Sequence, residues 1–553
     1  MTRRDDVTVL IPAAGRVPEG IVANATIATP AMIPVAGRPV IQWMLASLQG
    51  LGLGKLRVAL PQRGLFAEDL ITDVFGRAWD VDIVVPEPGG GVADTVLDLA
   101  AGVTSGSCLA VLGDTLFSFE DPSVLHSDHV TVLVDEVEES YRWCLVGVDA
   151  EQHASGFFDK VPDLPEPRYA LIGVYYFPDV TLLHDADAAL RPEGSARLEM
   201  VTLLEWIRAR QRIDVVRSAS WLDCGNPDTQ VRSQQRLLEE RAFNEVNIDA
   251  QLSTITKRSG MRAKFIDEIN YLRLLPPDLA VLFPRIVDYS TDWERPFVTM
   301  EFYGYPTLAE LFVFETIEPA VWERISRHLH WITQHAFHRH RGLVTADDIR
   351  EMYVGKTAAR LAETETTGEP SLVKLLQSTQ TIRLNDEELA PFRALWPWVE
   401  EQVEGLSPVD GSLIHGDLCF SNILYDLRGG ICRLIDPRGS FGRAGLFGDP
   451  RYDVAKLNHS VRWLYDFIVA DLFSVTDHGD FAYDLQIYRR AYHDDIAEAF
   501  NSVFFADYSS LEVDLITGLL FASMLPLHAD RPDRQLAFAL RSLEVLNGCR
   551  AAA

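Results

Sequence analysis

Two short stretches in the C-terminal half decide the fold: LIHGDLCFSNILYD (Leu413–Asp426) and RLIDPRG (Arg433–Gly439). Asn422 follows Asp417 by five positions, and Asp436 ends a second apolar run fourteen residues after Asn422. Phosphoryl transfer from ATP needs a group that positions the acceptor hydroxyl and hard oxygen ligands for Mg²⁺. The pattern therefore predicts a phosphotransferase in which Asp417 is catalytic and Asn422 and Asp436 bind Mg²⁺.

This arrangement resembles the aminoglycoside phosphotransferase and choline kinase family, itself similar to protein kinases, over roughly residues 240–550. The resemblance implies a protein-kinase-like (α+β), bilobal domain that uses ATP. It identifies Lys257 in STITKRS with the lysine that contacts the ATP phosphates, and Glu268 with its ion-pair partner. Met300 opens MEFYGYPTLAEL, which resembles the hinge against which adenine lies, and FNEVNID (Phe243–Asp249) is in the place of the phosphate-covering loop.

The first part of the chain alternates short apolar runs with amphipathic stretches. Runs typical of strands are VTVLIPAAG, KLRVALP, VDIVVPE, SCLAVLGD, VTVLVDE and RWCLVGVD, and those with helical spacing are PVIQWMLASLQGLG and LFAEDLITDVFGRAW. This alternation predicts an α/β domain with a mostly parallel sheet and helices on both faces. Glycines precede a predicted helix in PEPGGGVADTVLDLA (Pro86–Ala100), where backbone N–H groups can approach a base or phosphate.

These segments, in this order, resemble the sugar-nucleotide pyrophosphorylases, Rossmann-like nucleotidyltransferases, over about residues 5–230. The resemblance implies that an NTP of unknown base binds here and that Asp114 in AVLGDTLF and Asp223 in the turn WLDCGNP hold Mg²⁺. A cation shared by two carboxylates can bridge the nucleotide α-phosphate and the attacking oxygen. The resemblance also implies that Lys160 binds the phosphate of the acceptor. The other predicted nucleotide contacts are Ala14, Gly15, Arg16, Gly90, Gly91 and Asp94.

One loop departs from the family's pattern. Members have an arginine in a glycine-rich loop and a lysine shortly before a Leu-Pro segment, but this chain has Glu19 and Pro30 at those positions. Arg16 or Arg38 could supply the missing cation, although neither is in register. Two interpretations of the N-terminal domain stay open: an active nucleotidyltransferase, or an inactive domain that binds a ligand and regulates the kinase.

Composition and charge limit the classes of molecule that this chain is expected to bind. Hydrophobic residues make up 47% of the chain and charged residues 24%, as in ordinary folded proteins. The net charge of −30 argues against nucleic acid and anionic membrane, which are bound by clustered Lys and Arg. No apolar run approaches the roughly 20 residues that span a bilayer. With no signal-peptide pattern at its start, the chain is expected to be a cytoplasmic enzyme of small molecules, and homo-oligomerisation stays open.

A chain of 553 residues exceeds one hydrophobic core, and we predict two domains. They are a nucleotidyltransferase-like domain (1–232) and a phosphotransferase-like domain (233–553), whose small lobe is about 240–306 and large lobe about 307–553.

We expect a bifunctional enzyme. Its kinase phosphorylates a sugar or small alcohol, and its N-terminal domain couples that phosphate to an NTP. The product would be a nucleotide-activated precursor for a glycan, such as a capsule polysaccharide, or another surface polymer. Choline, ethanolamine or an aminoglycoside are alternative acceptors, because the acidic segments HADRPDRQ and SVTDHGDF could suit a cation. A non-catalytic scaffold is the remaining alternative.

Overall fold

A computed structural model describes residues 4–17, 29–161, 166–191, 197–239, 244–249, 251–407 and 409–553. The chain divides into two compact units, Met1–Leu237 and Leu238–Ala553. Within the described ranges, no helix has both the length and the apolar character that crossing a bilayer requires. All six cysteines are free thiols.

The N-terminal unit is built from strands and helices that alternate along most of its length. Its strands are β1 (Arg4–Pro12), β2 (Pro34–Val35), β3 (Arg38–Pro39), β4 (Leu53–Ala59), β5 (Asp80–Val84), β6 (Ser107–Val111), β7 (Thr115–Phe119), β8 (Val130–Glu136), β9 (Cys144–Val148), β10 (Ala154–Asp159), β11 (Tyr169–Phe177) and β12 (Ile213–Asp223). Its helices are α1 (Val40–Gln49), α2 (Phe66–Asp69), α3 (Val92–Ala100), α4 (Thr181–Leu190), α5 (Met200–Arg208) and, at its end, α6 (Pro227–Glu239).

The main sheet has the strand order β5-β4-β1-β6-β11-β8-β12-β7. The first four of these strands are mutually parallel, and β8 and β12 also form a parallel pair, so the predicted parallel sheet is present. Strand β11, which the sequence analysis did not predict, is inserted antiparallel to β6 and β8, and β9 with β10 branches from it. Every residue of β6 is buried, as expected for a continuous apolar run in a strand covered on both faces.

One core of this unit lies under α3, α4 and α5. Leu97 of α3, Leu183 of α4 and Leu204 of α5 pack with sheet residues such as Val132 and Phe177. Because β1 and β6 are neighbouring parallel strands, the loops that follow them leave the sheet at the same edge. Those two loops carry Ala14, Gly15, Arg16 and Asp114.

The C-terminal unit begins with a small sheet and continues mainly as helices. Its strands are β13 (Asn244–Asp249), β14 (Thr254–Ser259), β15 (Ile286–Ser290), β16 (Phe297–Glu301), β17 (Ile382–Leu384), β18 (Glu387–Leu389), β19 (Ser412–Leu413), β20 (Ile423–Asp426), β21 (Ile431–Leu434), β22 (Ser440–Phe441), β23 (Arg443–Ala444), β24 (Phe447–Gly448), β25 (Phe473–Gly479) and β26 (Ala482–Ile487). Its helices are α7 (Arg262–Leu274), α8 (Leu308–Phe314), α9 (Pro319–Trp331), α10 (Ala346–Arg350), α11 (Lys356–Thr367), α12 (Pro370–Leu376), α13 (Phe392–Gly405), α14 (Pro450–Val461), α15 (Tyr465–Val469), α16 (Tyr492–Phe504), α17 (Ser510–Ser523) and α18 (Pro532–Ala552).

The small sheet is antiparallel, in the order β13-β14-β16-β15, and its core is formed with α7. Phe265 and Ile269 of α7 pack there against Val298 and Met300 of β16. The expectation that FNEVNID forms a phosphate-covering loop is wrong for Asn244–Asp249, which is strand β13 paired along its length with β14. Phe243 lies outside the described residues.

Three short strands and a 3-10 turn position the residues of the two C-terminal motifs. Asp417 lies between β19 and β20, and Asn422 ends a short 3-10 turn before β20. Strand β20 pairs with β21, and Asp436 follows β21 by two residues. Asp436 has φ 57°, a left-handed conformation that non-glycine residues rarely adopt. Such strained residues cluster at functional sites, where the surroundings hold them in place.

Candidate active sites

In the N-terminal unit the structure brings Asp114 and Asp223 together. Asp114 lies in the turn between β6 and β7, and Asp223 ends β12, opposite Thr115 of β7. The N–H of Cys224 donates to the Asp114 carbonyl at 2.9 Å. A Cβ at Gly225 would lie 2.3 Å from Asp114 Oδ2 and 3.4 Å from Asp223 Oδ1, so both carboxylates border this glycine. Two carboxylates from separate parts of the chain therefore share one sheet edge.

The charge at this edge suits a divalent cation. Burial, and then the neighbouring charge of Asp223, raise the pKa of Asp114 to about 6. The Asp223 carboxylate accepts hydrogen bonds from the Asn226 amide (3.1 Å), the Gly225 N–H (3.3 Å) and the Thr229 hydroxyl, all neutral donors. Two neighbouring carboxylates are the kind of hard oxygen ligands that Mg²⁺ prefers. Asp114 and Asp223 would hold the ion.

The loop after β1 lies against the loop that carries Asp114, since a Cβ at Gly113 would lie 2.8 Å from the Ala13 Cβ. Ala14 packs against the core, whereas Gly15 and Arg16 are exposed. Pro30 is buried in the short turn Pro30–Met32, and its ring lies 3.9 Å from where a Cβ of Gly15 would be. Pro30 thus packs beside this loop without a charge, and Glu19 lies outside the described residues.

The other predicted nucleotide contacts lie at the start of α3. Gly90 is exposed, and Gly91 lies so close to Leu198 that a Cβ would be 2.1 Å from its carbonyl oxygen. The Asp94 carboxylate accepts from the Gly91 N–H at 2.7 Å and from the Leu198 N–H at 2.8 Å. Asp94, which was predicted to contact the nucleotide, therefore uses one carboxylate oxygen to fix the geometry of its own loop.

Lys160 follows β10 with φ 52°, and its N–H donates to the Trp143 carbonyl at 3.1 Å. Its side chain is exposed. The Trp143 ring meets Trp221, two residues before Asp223, at a centroid distance of 4.8 Å. No hydrogen bond or ion pair joins Lys160 to either Asp114 or Asp223 among the contacts of the described residues.

In the C-terminal unit, Asp417 is held by two side chains. Lys456 of α14 lies 2.7 Å from Asp417 Oδ1, and Asn422 Nδ2 donates to Asp417 Oδ2 at 3.0 Å and to its carbonyl at 2.9 Å. Burial alone would raise the pKa of Asp417, but the charge and hydrogen bond of Lys456, with the charge of Arg438, hold it well below its ordinary value. Asp417 is therefore ionised, and the Asn422 amide oxygen is left as a ligand for a cation.

Lys257, Glu268 and Asp436 form a second charged group in the same cleft. The Lys257 ammonium lies 2.8 Å from Glu268 Oε1 and 2.9 Å from Asp436 Oδ1. Burial alone would lower the pKa of Lys257, but the charges of Asp436 and Glu268 outweigh it and raise the pKa. Burial raises the pKa of Glu268 to about 7, against the opposing charge of Lys257. Asp436 and Asn422 supply the oxygen atoms that would hold Mg²⁺ here.

The Met300 side chain is 6% exposed in the core of the small sheet, so a contact with adenine would have to come from the neighbouring residues.

The loop around Asp417 is held in place by hydrogen bonds to Asp453. That carboxylate accepts from the His415 N–H at 2.7 Å and the Gly416 N–H at 2.8 Å, and burial raises the pKa of Asp453 to about 7.

Sequence reasoning missed five cations that line the same cleft as Asp417. They are Lys264, Lys356, Arg360, Arg438 and Lys456. Two local signals could have found some of them: Lys356 and Arg360 are four residues apart and share a helix face, and Lys456 is three residues after Asp453. None of these spacings forms a motif by itself.

Residues 25–240 match the family model described as Nucleotidyl transferase. A curated relative, the low-salt glycan biosynthesis nucleotidyltransferase Agl11 of Haloferax volcanii, is 23% identical over 235 residues, which cover 41% of this chain and 65% of the relative. The chain therefore spans slightly less than two thirds of that relative's length.

Two solved structures align with the same part of the chain. A Bacillus anthracis protein assigned as a glucose-1-phosphate thymidylyltransferase, in complex with sucrose, has a TM-score of 0.38 at 17% identity and covers 43% of this chain and 97% of that one. A UDP-glucose pyrophosphorylase complexed with UDP-glucose has a TM-score of 0.36 at 16% identity, with 44% and 100% coverage. Residues 25–240 are thus the part of the chain that matches the nucleotidyl transferase family.

Proposed function

We propose that this chain is a bifunctional enzyme of nucleotide-sugar biosynthesis, in which a C-terminal kinase makes a phosphate ester and the N-terminal unit couples that ester to an NTP. The family match over residues 25–240 carries the N-terminal half of the proposal. The name of the Haloferax volcanii relative supports use of the product in glycan biosynthesis. The convergence of Lys257, Glu268, Asp417, Asn422 and Asp436 in one cleft carries the other half.

In the N-terminal unit, Asp114 and Asp223 would hold Mg²⁺, which would offset negative charge on the nucleotide α-phosphate. The exposed Arg16 and the backbone N–H groups beside Gly90 would bind the nucleotide phosphates and base. Lys160 would bind the phosphate of the acceptor. Transfer makes a bond from the acceptor phosphate oxygen to the α-phosphorus and releases pyrophosphate.

In the C-terminal unit, Asp417 would accept a hydrogen bond from the acceptor hydroxyl and orient it toward the γ-phosphate of ATP. An ionised carboxylate with a lowered pKa is a weak base, so its proton is taken up late in the transfer, which suits a loose phosphoryl transition state. Lys456 and Asn422 fix the direction of the carboxylate. Lys257 would bind the ATP phosphates, and Asp436 and Asn422 would hold Mg²⁺, which would offset phosphate charge.

A second candidate function for the N-terminal unit is regulatory binding without catalysis. The observation that favours it is Pro30, buried and uncharged where related enzymes have a cation. An NTP carries several negative charges, and loss of one fixed cation typically costs ~3–4 kcal/mol of transition-state stabilisation. Arg16 is the replacement that we propose, because it is exposed in the loop that lies against the Asp114 loop.

Two products distinguish these functions in one assay. The full chain, given Mg²⁺, each NTP and a pool of sugars, sugar phosphates, hydroxy acids and small alcohols, should release ADP from the kinase and pyrophosphate from the nucleotidyltransferase. ADP release without pyrophosphate for any NTP would favour the regulatory function. Release of neither product would refute the bifunctional proposal.

A further inference from the structure

The cleft that contains Asp417 has a volume of about 350 Å³ and an unusual excess of cations. Lys264 reaches it from α7, Lys356 and Arg360 from α11, and Arg438 from the segment just after Asp436. Lys356 is the first residue after a π-turn (Glu351–Gly355) that interrupts one continuous helical stretch, a distortion that is frequent at functional sites.

These four cations lack the carboxylate partners that the other cations of the cleft have. Lys257 is paired with Glu268 and Asp436, and Lys456 with Asp417. Across the part of the chain that the structure describes, no carboxylate oxygen forms an ion pair within 4.0 Å of the other four: Lys264, Lys356, Arg360 and Arg438.

The hydrogen bonds of these cations go to neutral groups instead. The Arg360 guanidinium donates to the Ser523 carbonyl at 2.6 Å. Lys356 and Arg438 share one acceptor, the Tyr452 hydroxyl, at 3.3 Å and 3.1 Å. Glu363 is the acidic side chain that attracts both Lys264 and Arg360, from beyond ion-pair distance.

The cations repel one another across this cleft. Burial, followed by the charges of Arg438, Arg360 and Lys456, lowers the pKa of Lys356 well below its ordinary value. Burying like charges together costs free energy that an opposite charge must offset. In a chain of net charge −30, this local positive excess calls for an anionic ligand.

These cations come from different elements of the unit, although Lys356 and Arg438 meet at the Tyr452 hydroxyl. Arg438 is two residues from Asp436, and so lies beside the expected position of the ATP phosphates. Lys356 and Arg360 lie on α11 and contact Tyr452 and Ser523, which belong to α14 and α17 rather than to the small sheet. Tyr452 is one helical turn from Lys456, the partner of Asp417. Lys356 is therefore hydrogen-bonded to the helix whose Lys456 holds Asp417, the residue expected to face the acceptor hydroxyl.

We propose that the acceptor of the C-terminal phosphotransferase is anionic: a hydroxylated small molecule that carries a phosphate or carboxylate group bound by Lys356 and Arg360. This inference rests on the kinase function proposed above. The acceptor hydroxyl oxygen forms a bond to the γ-phosphorus of ATP, the bond from that phosphorus to the β–γ bridging oxygen breaks, and ADP leaves. The hydroxyl proton passes to Asp417 and then to solvent. Choline, ethanolamine and aminoglycosides would place a cation against Lys356 and Arg360.

The test is a titration of inorganic phosphate into the full chain, with and without saturating Mg²⁺ and the ATP analogue AMPPNP. Phosphate should bind in both conditions, and Lys356→Met and Arg360→Gln should each weaken that binding by about tenfold or more. AMPPNP affinity should stay within about twofold, because neither side chain is expected to contact nucleotide. Arg393→Gln, an exposed cation on α13, is the matched control and should change neither affinity.

The same titration can also contradict the acceptor site or the kinase function. Phosphate binding that both variants leave unchanged would show that these cations do not bind phosphate. Phosphate binding that AMPPNP abolishes in the unmodified chain would show that they bind the nucleotide instead. Either result would overturn the anionic acceptor site. Failure of AMPPNP to bind would refute the kinase function, while variant-sensitive phosphate binding would still support an anion site.

Kinase assays with matched acceptors then identify the anion. Glycerol is compared with glycerol 3-phosphate and glycerate, and glucose with glucose 6-phosphate and glucuronate. The inference predicts that the phosphate or the carboxylate members are preferred over their neutral parents and over choline. Preference for the neutral or cationic acceptors would contradict it.

Discussion

Asp114 and Asp417 are both half-buried aspartates at the centre of a candidate site, yet their neighbours shift their pKa values in opposite directions. Burial, followed by the charge of a second carboxylate, Asp223, raises the pKa of Asp114 to about 6. Asp417 faces Lys456, and its pKa is held well below its ordinary value although burial opposes this. Among the described residues, no cation forms an ion pair with Asp114 or Asp223, and these paired carboxylates suit a metal ion. Asp417 has its own cation in Lys456 and suits the role of a fixed, ionised hydrogen-bond acceptor.

The largest expected effect tests the role of the Asp417 carboxylate as hydrogen-bond acceptor. Asp417→Asn should lower phosphoryl transfer by about 10²–10⁴-fold, the usual range for removing a group that accepts a proton in the transition state. Nucleotide binding should persist, because Lys257, Glu268 and Asp436 are unchanged. ADP release and AMPPNP affinity measure the two effects. Undiminished turnover would show that Asp417 is not the catalytic group.

The next effect tests the metal pair. Asp114→Asn should lower pyrophosphate release by about 10²–10³-fold, because one of two anionic ligands for the ion is lost. ADP release by the kinase should not change, which makes the kinase an internal control. Equal loss of both activities would point to misfolding instead, and unchanged pyrophosphate release would refute the metal site.

A smaller effect tests the partner of Asp417. Without the Lys456 charge, burial should raise the pKa of Asp417, so the carboxylate would be protonated at a higher pH than in the unmodified chain. In Lys456→Met, kinase kcat should fall by about tenfold and its acidic limb should move to higher pH. Lys456→Arg, which keeps the charge, should restore the limb. An unshifted pH profile in Lys456→Met would contradict the pairing.

The smallest effect is a pH dependence of the N-terminal metal site. Protons compete with Mg²⁺ for Asp114 below its pKa of about 6. The Mg²⁺ concentration needed for half-maximal pyrophosphate release should therefore rise by about tenfold between pH 7 and pH 5. The residual activity of Asp114→Asn should lack this change. A flat dependence in the unmodified chain would place the metal elsewhere.

The two units also differ in how far their sequence predicts their structure. Strand β6 and the parallel strands beside it were predicted because covered strands are continuous apolar runs. The order of the strands was not, since insertion of β11 between β6 and β8 depends on pairing between residues distant in sequence. In FNEVNID, Val246 and Ile248 alternate with polar residues, a strand pattern that was overlooked in favour of the family's loop.

The site residues also differ in whether local sequence or long-range packing places them. The spacing of Lys257 and Glu268 was informative because a strand and the next helix place them at hydrogen-bonding distance, 2.8 Å. Lys456, Lys356 and Arg360 come from α14 and α11, whose approach to Asp417 depends on the packing of the whole helical part. The spacing of Lys356 and Arg360 predicts a shared helix face, but it does not encode the approach of that face to Asp417, which only the structure shows.

The most direct test of the central claim, two successive transfers by one chain, is mass spectrometry of the products. The full chain is incubated with Mg²⁺, the common NTPs and a pool of sugars, sugar phosphates, hydroxy acids and alcohols. We predict a phosphorylated acceptor and its nucleotide-coupled form from the unmodified chain, the phosphorylated acceptor alone from Asp114→Asn, and neither from Asp417→Asn until the phosphorylated acceptor is supplied. If the nucleotide-coupled form of that same phosphorylated acceptor appears in Asp417→Asn without its supply, the account is contradicted.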